Sequence, residues 1–493
     1  MTMTKKKTQH FPSHLGGLAK DLAKERRIFC NRSLNMKTIK AIGFDMDYTL
    51  GVYKPETFEV LAYQESLKKL VKMGYPELIL DWKFDWTWMV RGLAIDKHRG
   101  NIIKLDRHHY VKVAYHGFRE LSREERRALY DASRVQSYEE PHFALIDTLF
   151  ALAEAYLFCQ LVELHDSRPE LLTKLYQDMY RDVRTAIDTA HRDGSIKLHV
   201  AQNPSKYIFR DPDLVPTLQK LKDSGRKLFI VTNSLWEYTD VVMSFLFDEP
   251  INQRGRSKWL AMFDFVIVGA SKPGFFMLAN PLYSVDTQTG YLMNTYGQPS
   301  EGKVFQGGNF KQLHDFLKVQ TGSQILYVGD HIYGDILRSK KEIGWRTMLI
   351  VDEIESEVRT QEQNVELRAS IAKLMPIKDN LDDKMQQILW YVECARRQGD
   401  TDNDTDDELH EILRGAVEKR NTSREALREK LREYHRRFHP IWGQVFKTGY
   451  QNSRFAQQVE VYACLYTSRL TNLFPYPPSR MFQSTRDYMP HDI

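Results

Sequence analysis

Residues 36–50 read MKTIKAIGFDMDYTL, and the fold is decided by how this stretch is parsed. An apolar run, Ile39 to Phe44, stops abruptly at Asp45, with Asp47 and Thr49 following. Such a run is the signature of a buried strand that delivers carboxylates to the edge of a sheet. In an open α/β sheet, ligands bind beyond the carboxyl ends of the strands. Two aspartates two residues apart can there supply a nucleophile and a proton carrier at one substrate atom. Taken alone, an Asp-x-Asp is more often an acidic turn closing a strand, so the reading rests on what the rest of the chain adds.

Further segments repeat the pattern. Lys227–Asn233 (KLFIVTN), the run DFVIVG ending at Gly269, Gln324–Asp330 (QILYVGD) and Thr347–Asp352 all read as strands, and Asp213–Ser224 reads as a helix stopped by Gly225. Strand and helix in alternation predict a parallel sheet covered on both faces. The polar residues at the strand ends then line up: Asp45, Asp47 and Thr49; Thr232, Asn233 and Ser234; Lys272; Asp330 and Asp335. Each has an ordinary alternative, such as a helix cap for Thr-Asn or a turn for Gly-Asp. Their shared position at the same end of successive strands is the informative feature.

The expected architecture is an α/β, Rossmann-like parallel-sheet core with an inserted α+β cap and a helical C-terminal region. Residues 1–38 form a tail with a short basic helix. The core comprises 39–56 and 198–352, with a small turn-rich insertion near 274–322. Residues 57–197 form the cap, with strands at Leu93–Asp96, Asn101–Leu105 and Tyr110–Tyr115 and helices over Leu121–Ser133, Pro141–Leu164 and Glu170–Arg192. Residues 353–493 are helical over Asp379–Arg397 and Ser423–Phe438, joined by the acidic linker Gly399–Asp407. That linker lacks the glycine and closing glutamate of a calcium loop and is expected to be a solvated loop.

Composition excludes several classes. A net charge of +5 over 493 residues does not argue for nucleic-acid binding. Cys30, Cys159, Cys394 and Cys464 form no CxxC, which argues against a zinc knuckle or a disulfide framework. The basic start, MTMTKKKTQHF, has no apolar signal core, and Phe143–Leu164 carries too many acids to span a membrane, so a cytoplasmic protein is expected. His435 and His439 have a zinc-compatible spacing but no acidic or cysteine partner nearby. Trp82, Trp86 and Trp88 read as cap core rather than a base platform.

The chemistry explains the residue types. A phosphate monoester is an anion and resists nucleophiles. Mg2+ held by Asp45, Asp330 and the main-chain carbonyl of Asp47 would neutralise and align it. Asp45 would attack phosphorus, Asp47 would carry the proton, and Thr232, Asn233 and Lys272 would stabilise the gathering charge. Asp335 is placed to support Lys272.

These motifs, DMDYT, TNS, the lone Lys272 and GDxxxxD, resemble those of the haloacid dehalogenase-like phosphohydrolases, and more closely the cytosolic purine 5'-nucleotidases. The shared stretches include VYK, RGL with GNIIKLD and HGF, DVR with GSIK, SKPGFF, VGDHIYGDILRSKK with GWRT, and the final FAxQVxxYxxLYxSxxxNLxxYP and MPHD. They run in one order from about residue 40 to the end. The resemblance implies Mg2+-dependent hydrolysis of IMP and GMP, phosphate transfer to nucleosides, activation by nucleotides such as ATP, and homotetramers built from dimers. It also implies nucleotide contacts at Arg184, Asp188 and Lys197, a stacking ring at Phe150, a further pocket position at His191, and Ser234 beside the phosphate. Arg184, Asp188 and His191 share one helical face by their spacing. Tyr333, Lys340 and Lys341 match effector contacts.

Departures from the family pattern fall at the base edge. Asp147 and Ala151 stand where well-known members carry Asn, and Arg192 stands in place of a Tyr. A phosphatase of the same chemistry on another metabolite, and a nucleotide-binding scaffold without turnover, are the alternatives. The presence of both Asp45 and Asp47 speaks against the scaffold and against a dehalogenase, which needs no second aspartate.

Overall fold

The computed structural model describes residues 22–130, 138, 141–251, 257–295, 303–398 and 403–484. The MPHD stretch and most of the N-terminal tail lie outside the described residues. In chain order the principal strands are β1 (Phe29–Cys30), β2 (Ala41–Phe44), β3 (Leu93–Asp96), β4 (Asn101–Leu105), β5 (Val111–His116), β6 (Arg119–Glu120) and β7 (Phe143–Ile146). They continue with β8 (Lys227–Val231), β9 (Phe265–Val268), β10 (Leu282–Val285), β11 (Leu292–Asn294), β12 (Val304–Gly307), β13 (Ile325–Gly329), β14 (Arg346–Ile350) and β15 (Leu465–Thr467).

Ten of them form one sheet in the order β1-β15-β14-β13-β2-β8-β9-β12-β10-β11. Every pairing from β15 to β12 is parallel, and antiparallel strands close both edges. β2 lies at the centre and is buried along its whole length, as a strand covered on both faces must be. Its Gly43 is a packing requirement: a Cβ there would overlap the ring of Phe229 on β8 and crowd Tyr327 on β13. With that glycine the central strand sits under two aromatics, and its next two residues, Phe44 and Asp45, are carried to the sheet's carboxyl edge.

The insertion between β2 and β8 forms a second unit. Its antiparallel sheet runs β6-β5-β4-β3-β7. Its core joins Leu67 and Leu70 of helix Pro55–Lys72, Phe158 and Leu161 of helix Ala151–Ser167, Val183 of helix Tyr176–Arg192, and the strand residues Ile95 and Ile102.

Several sequence expectations need correction. Pro141–Leu164 is not one helix. Phe143–Ile146 pairs with β3 as an edge strand, and the helix starts at Ala151. A short apolar run satisfies either period, and the unpaired edge of β3 decided the outcome. The helix expected over Glu170–Arg192 begins at Tyr176, and the described part of the one expected over Leu121–Ser133 spans Arg123–Tyr130. The segment 274–322 is more than turns: a hairpin, β10-β11, leads to another parallel core strand, β12, and to helix Phe310–Leu317. Of the basic helix expected within residues 1–38, the described residues hold one 3-10 turn, Lys24–Arg26, followed by β1. In the C-terminal region, helices Val365–Gln398 and Asn403–Arg436 are longer than expected. The acidic stretch from Asn403 is helical, while 399–402 lie outside the described residues. The chain then returns to add β15 to the core sheet.

Among the described residues no helix is long and apolar enough to cross a membrane. His435 and His439 are tied to main-chain carbonyls, with Nε2 2.8 Å from Gly449 O and 2.7 Å from Thr87 O, which accounts for both rings without a metal.

Candidate active site

β2 is followed directly by Asp45, whose main-chain N–H donates to Val328 O of the neighbouring β13 at 2.8 Å. This anchors the first carboxylate beside the strand that carries Asp330. Asp45 Oδ1 accepts from Met46 N at 2.7 Å and lies 2.8 Å from Lys272 Nζ. Lys272 Nζ is also 2.7 Å from Asp335 Oδ1 and 3.1 Å from the Tyr327 hydroxyl. Its side chain is only 3% exposed, so this ammonium is held by protein groups rather than by water.

The main chain of Lys272 is pinned by Asn233. Lys272 N donates to Asn233 Oδ1 at 2.7 Å, and Asn233 Nδ2 donates to Lys272 O at 3.3 Å. Asn233 thus reaches from the end of β8 to set the lysine that follows β9. Beside it, Ser234 N donates to Thr232 Oγ1 at 3.1 Å, and Ser234 Oγ donates to Asp47 Oδ2 at 2.8 Å. Asp47 Oδ1 accepts from the Tyr53 hydroxyl at 2.5 Å, and Tyr53 in turn is 2.9 Å from the Tyr238 hydroxyl. Both carboxylate oxygens of Asp47 are therefore oriented by hydroxyl donors. Tyr53 and Tyr238 were not singled out in the sequence; isolated tyrosines carry no pattern that would announce them.

At the end of β13, Gly329 lets the chain fold back on itself, because a Cβ there would overlap the Asp335 carboxylate. Asp335 Oδ2 accepts from His331 N at 3.2 Å. Ligand atoms of Asp45, Asp330 and Asp335 all lie within 4.8 Å of one another, and all three residues are buried. Among the described residues, Lys272 is the cation that touches these carboxylates directly, at Asp45 and Asp335. Burial pushes the Asp45 carboxyl well above its usual range; Lys272 opposes this, while Asp335, Asp330 and Asp47 add to it. Burial, then Asp335, raise Asp330 to about 7 against the pull of Arg91, His331 and Lys272. Lys272 is pushed down by burial, but Asp335 and Asp45 outweigh this and hold it above its normal range.

Such a cluster fits a hard divalent cation. It holds more buried carboxylate than one lysine balances, and all its donors are oxygens. Asp335 is already engaged by Lys272 and His331 N, which leaves Asp45 and Asp330 as the ligands best able to turn to a metal. The side chain of Asp47 faces Tyr53 and Ser234, so only its main chain is available.

The insert residues lie in two groups. Phe150 packs in an aromatic cluster, its ring 4.8 Å from Tyr48, 5.5 Å from His191 and 6.0 Å from Phe58. Lys197 Nζ lies 5.2 Å from the Tyr238 ring; burial lowers its pKa, and Asp47 acts in the opposite sense. His191 is pushed down to about 4 by burial and by Lys197, so it is neutral at physiological pH. Arg184 donates to Glu154 Oε2 at 2.8 Å and to Asp188 Oδ2 at 3.2 Å. It faces a cleft of about 1300 Å3 shared with Asp147, His331, Tyr333 and Lys341. Lys340 does not line this cleft; its Nζ turns inward to Cys464 Sγ at 2.8 Å. The Tyr333 hydroxyl bonds Arg454 and the Gln458 amide, at 3.1 and 3.0 Å. Asp147 Oδ2 stands 3.5 Å from His331 Nδ1.

A parallel α/β core that gathers four aspartates, a buried lysine and Thr and Ser hydroxyls at one sheet edge defines a phosphoric monoester hydrolase. The chain belongs to the 5' nucleotidase family, whose sequence model matches residues 28–493. It is 29% identical over 473 residues to a 5'-nucleotidase domain-containing protein of Dictyostelium discoideum, covering 94% of this chain and 75% of that protein. It is 30% identical over 349 residues to 5'-nucleotidase domain-containing protein 2 of Rattus norvegicus and 29% identical to that of Homo sapiens. These two matches cover 67% of this chain, but 60% and 64% of the rat and human proteins. Among solved structures, a predicted phosphoglycolate phosphatase from Haemophilus somnus matches 64% of this chain and 86% of its own, with 14% identity and a TM-score of 0.28.

Proposed function

We propose that the protein is a Mg2+-dependent 5'-nucleotidase acting on purine nucleoside monophosphates of the IMP and GMP type. The observation that carries this reading is the Lys272 ammonium 2.8 Å from Asp45, in a buried group that includes Asp330 and Asp335. When bound between Asp45, Asp330 and the Asp47 carbonyl, Mg2+ would offset the charge of the phosphate dianion and of the clustered carboxylates. Asp45 attacks phosphorus and becomes an aspartyl-phosphate. Asp47, aimed by Tyr53 and Ser234, protonates the leaving 5'-oxygen and then takes a proton from the attacking water. Thr232 already accepts from Ser234 N, so its own O–H is the donor it has to give to a phosphoryl oxygen. Lys272 stabilises the charge that gathers in the transition state, and Asn233 and Asp335 keep it there.

Phe150 serves as the stacking surface for the base. Lys197 and His191 complete the wall on the insert side, with Arg184 and Asp188 at its outer end. Family likeness extends this reading to phosphate transfer to nucleosides, a cytoplasmic setting, a dimer or tetramer, and a nucleotide effector such as ATP at Tyr333 and Lys341. The Asp147–His331 approach favours a second reading, in which the same chemistry serves another phosphorylated metabolite, because it places an acid where the family carries an amide.

The test is phosphate release from IMP, GMP, AMP, UMP and a sugar phosphate, with and without chelator. Selective, chelator-sensitive hydrolysis of IMP and GMP is the expected result; equal rates across the panel would remove the purine assignment. The Asp45→Asn protein should release no phosphate, and unchanged turnover would contradict the covalent route.

A further inference from the structure

Asp330 is gripped from outside its own strand at two atoms. Arg91, the residue two before β3 of the insert, donates through Nη1 to the main-chain carbonyl of Asp330 at 3.3 Å. Thr148, in the turn after β7 of the insert, donates through Oγ1 to Asp330 Oδ2 at 3.3 Å. Arg91 is itself fixed. Its Nε donates to Glu353 Oε1 at 2.8 Å, its Nη2 pairs with Glu353 Oε2, and its guanidinium lies 5.9 Å from the ring of Phe455. Glu353 opens the helix after β14, and Phe455 lies in helix Arg454–Tyr462. The side chain of Arg91 is 1% exposed. A bidentate guanidinium–carboxylate pair is planar and allows little rotation, so it sets direction as well as charge.

We propose that Arg91 and Thr148 are positioning residues that set the rotamer and depth of the Asp330 carboxylate, so that seating of the insert on the core controls cation affinity at the active site. This rests on the reading of Asp330 as a metal ligand. Asp330 follows directly on β13, where the chain turns back into the loop leading to Asp335. Its carbonyl would otherwise be free to rotate with that loop, and its carboxylate to turn toward solvent in the cleft. Arg91 holds the carbonyl and Thr148 holds one carboxylate oxygen, Oδ2, so the carboxylate's orientation beside Asp45 and Asp335 is fixed from the insert. Groups that hydrogen-bond a ligating carboxylate in this way commonly change metal affinity by about 10–100-fold when removed. Because both donors belong to the insert, a displacement of that unit would release both contacts together, and the cation site would weaken before any nucleophile moved.

The experiment uses the full chain and measures direct Mn2+ binding by electron paramagnetic resonance and Mg2+ binding by calorimetry, without substrate. Thr148→Val preserves shape and removes one donor; Arg91→Lys preserves charge and removes the fork. Each is expected to raise the Mn2+ Kd about tenfold or more. The double variant should lose more than either alone, and the far-ultraviolet spectrum of Thr148→Val should be unchanged. If Arg91→Lys does not fold, Thr148→Val decides. A folded Thr148→Val protein with a Kd within twofold of the parent overturns the inference. A parent protein that binds neither cation overturns the metal reading itself.

Discussion

Replacing Lys272 by Met removes one charge from a point almost closed to water while keeping much of the side-chain volume. Its ammonium is 2.8 Å from Asp45 and 2.7 Å from Asp335, and the side chain is 3% exposed. At an effective dielectric of about 20, each contact corresponds to roughly 6 kcal/mol of attraction before desolvation is subtracted. Breaking a buried pair by removing one partner costs about 3–5 kcal/mol, because the remaining charge is left unpaired. The loss depends on pH in a definite direction. Asp45 and Asp330 are already raised in the folded state, and Lys272 is among the groups that pull both down. Without it they rise further, so the folded protein binds more protons than the unfolded chain between about pH 4 and 7. Stability of Lys272→Met, measured by urea unfolding without divalent cation, should therefore fall as pH rises from 5.5 to 7.5, more steeply than in the parent. Added Mg2+ should recover part of it. In phosphate-release assays kcat should drop by about 10^2–10^3. A variant with parental kcat and the parental pH dependence of stability would refute the electrostatic role assigned to this lysine.

Two further outcomes separate other parts of the structure. Glu59 is buried beneath Tyr48, which donates to its Oε1, and burial raises its carboxyl to about 7. Its folded pKa lies above the unfolded value, so ionising it above pH 7 costs stability that is not lost below about pH 4. Glu59→Gln should stabilise the protein at pH 8 by up to about 3 kcal/mol and have little effect near pH 5, as read from thermal unfolding at both pH values; equal effects at the two would contradict the assignment. Phe150→Ala should raise KM for IMP about tenfold, since stacking on an aromatic ring is worth about 1–3 kcal/mol. It should leave hydrolysis of a phosphate ester without a base nearly unchanged; parallel losses on both substrates would place Phe150 in packing rather than recognition.

The parallel core was legible because its strands are buried on both faces and read as largely apolar runs: Ala41–Phe44, Lys227–Val231 and Ile325–Gly329 are each followed at once by a polar residue, and Phe265–Val268 by Ser271 and Lys272 after two small residues. Val304–Gly307 escaped notice because it is short and sits among turn residues; its pairing with β9 makes it a strand. Phe143–Ile146 was absorbed into a neighbouring helix for the related reason that a four-residue apolar run has no period of its own.

Sequence alone determined which residue types reach the sheet edge and in what order, because a buried strand leaves its first polar residues at its end. It placed Asp45, Asp47, Thr232, Lys272, Asp330 and Asp335 as candidates for one site. Tertiary structure decided what each side chain faces: that Asn233 holds the Lys272 main chain, that Tyr53 and Ser234 hold Asp47, and that Arg91 and Thr148 reach Asp330 from the insert. Those contacts join residues 6 to 239 positions apart. No local pattern encodes them, since a hydrogen bond depends on where the packed backbone puts donor and acceptor, not on their neighbours in the chain.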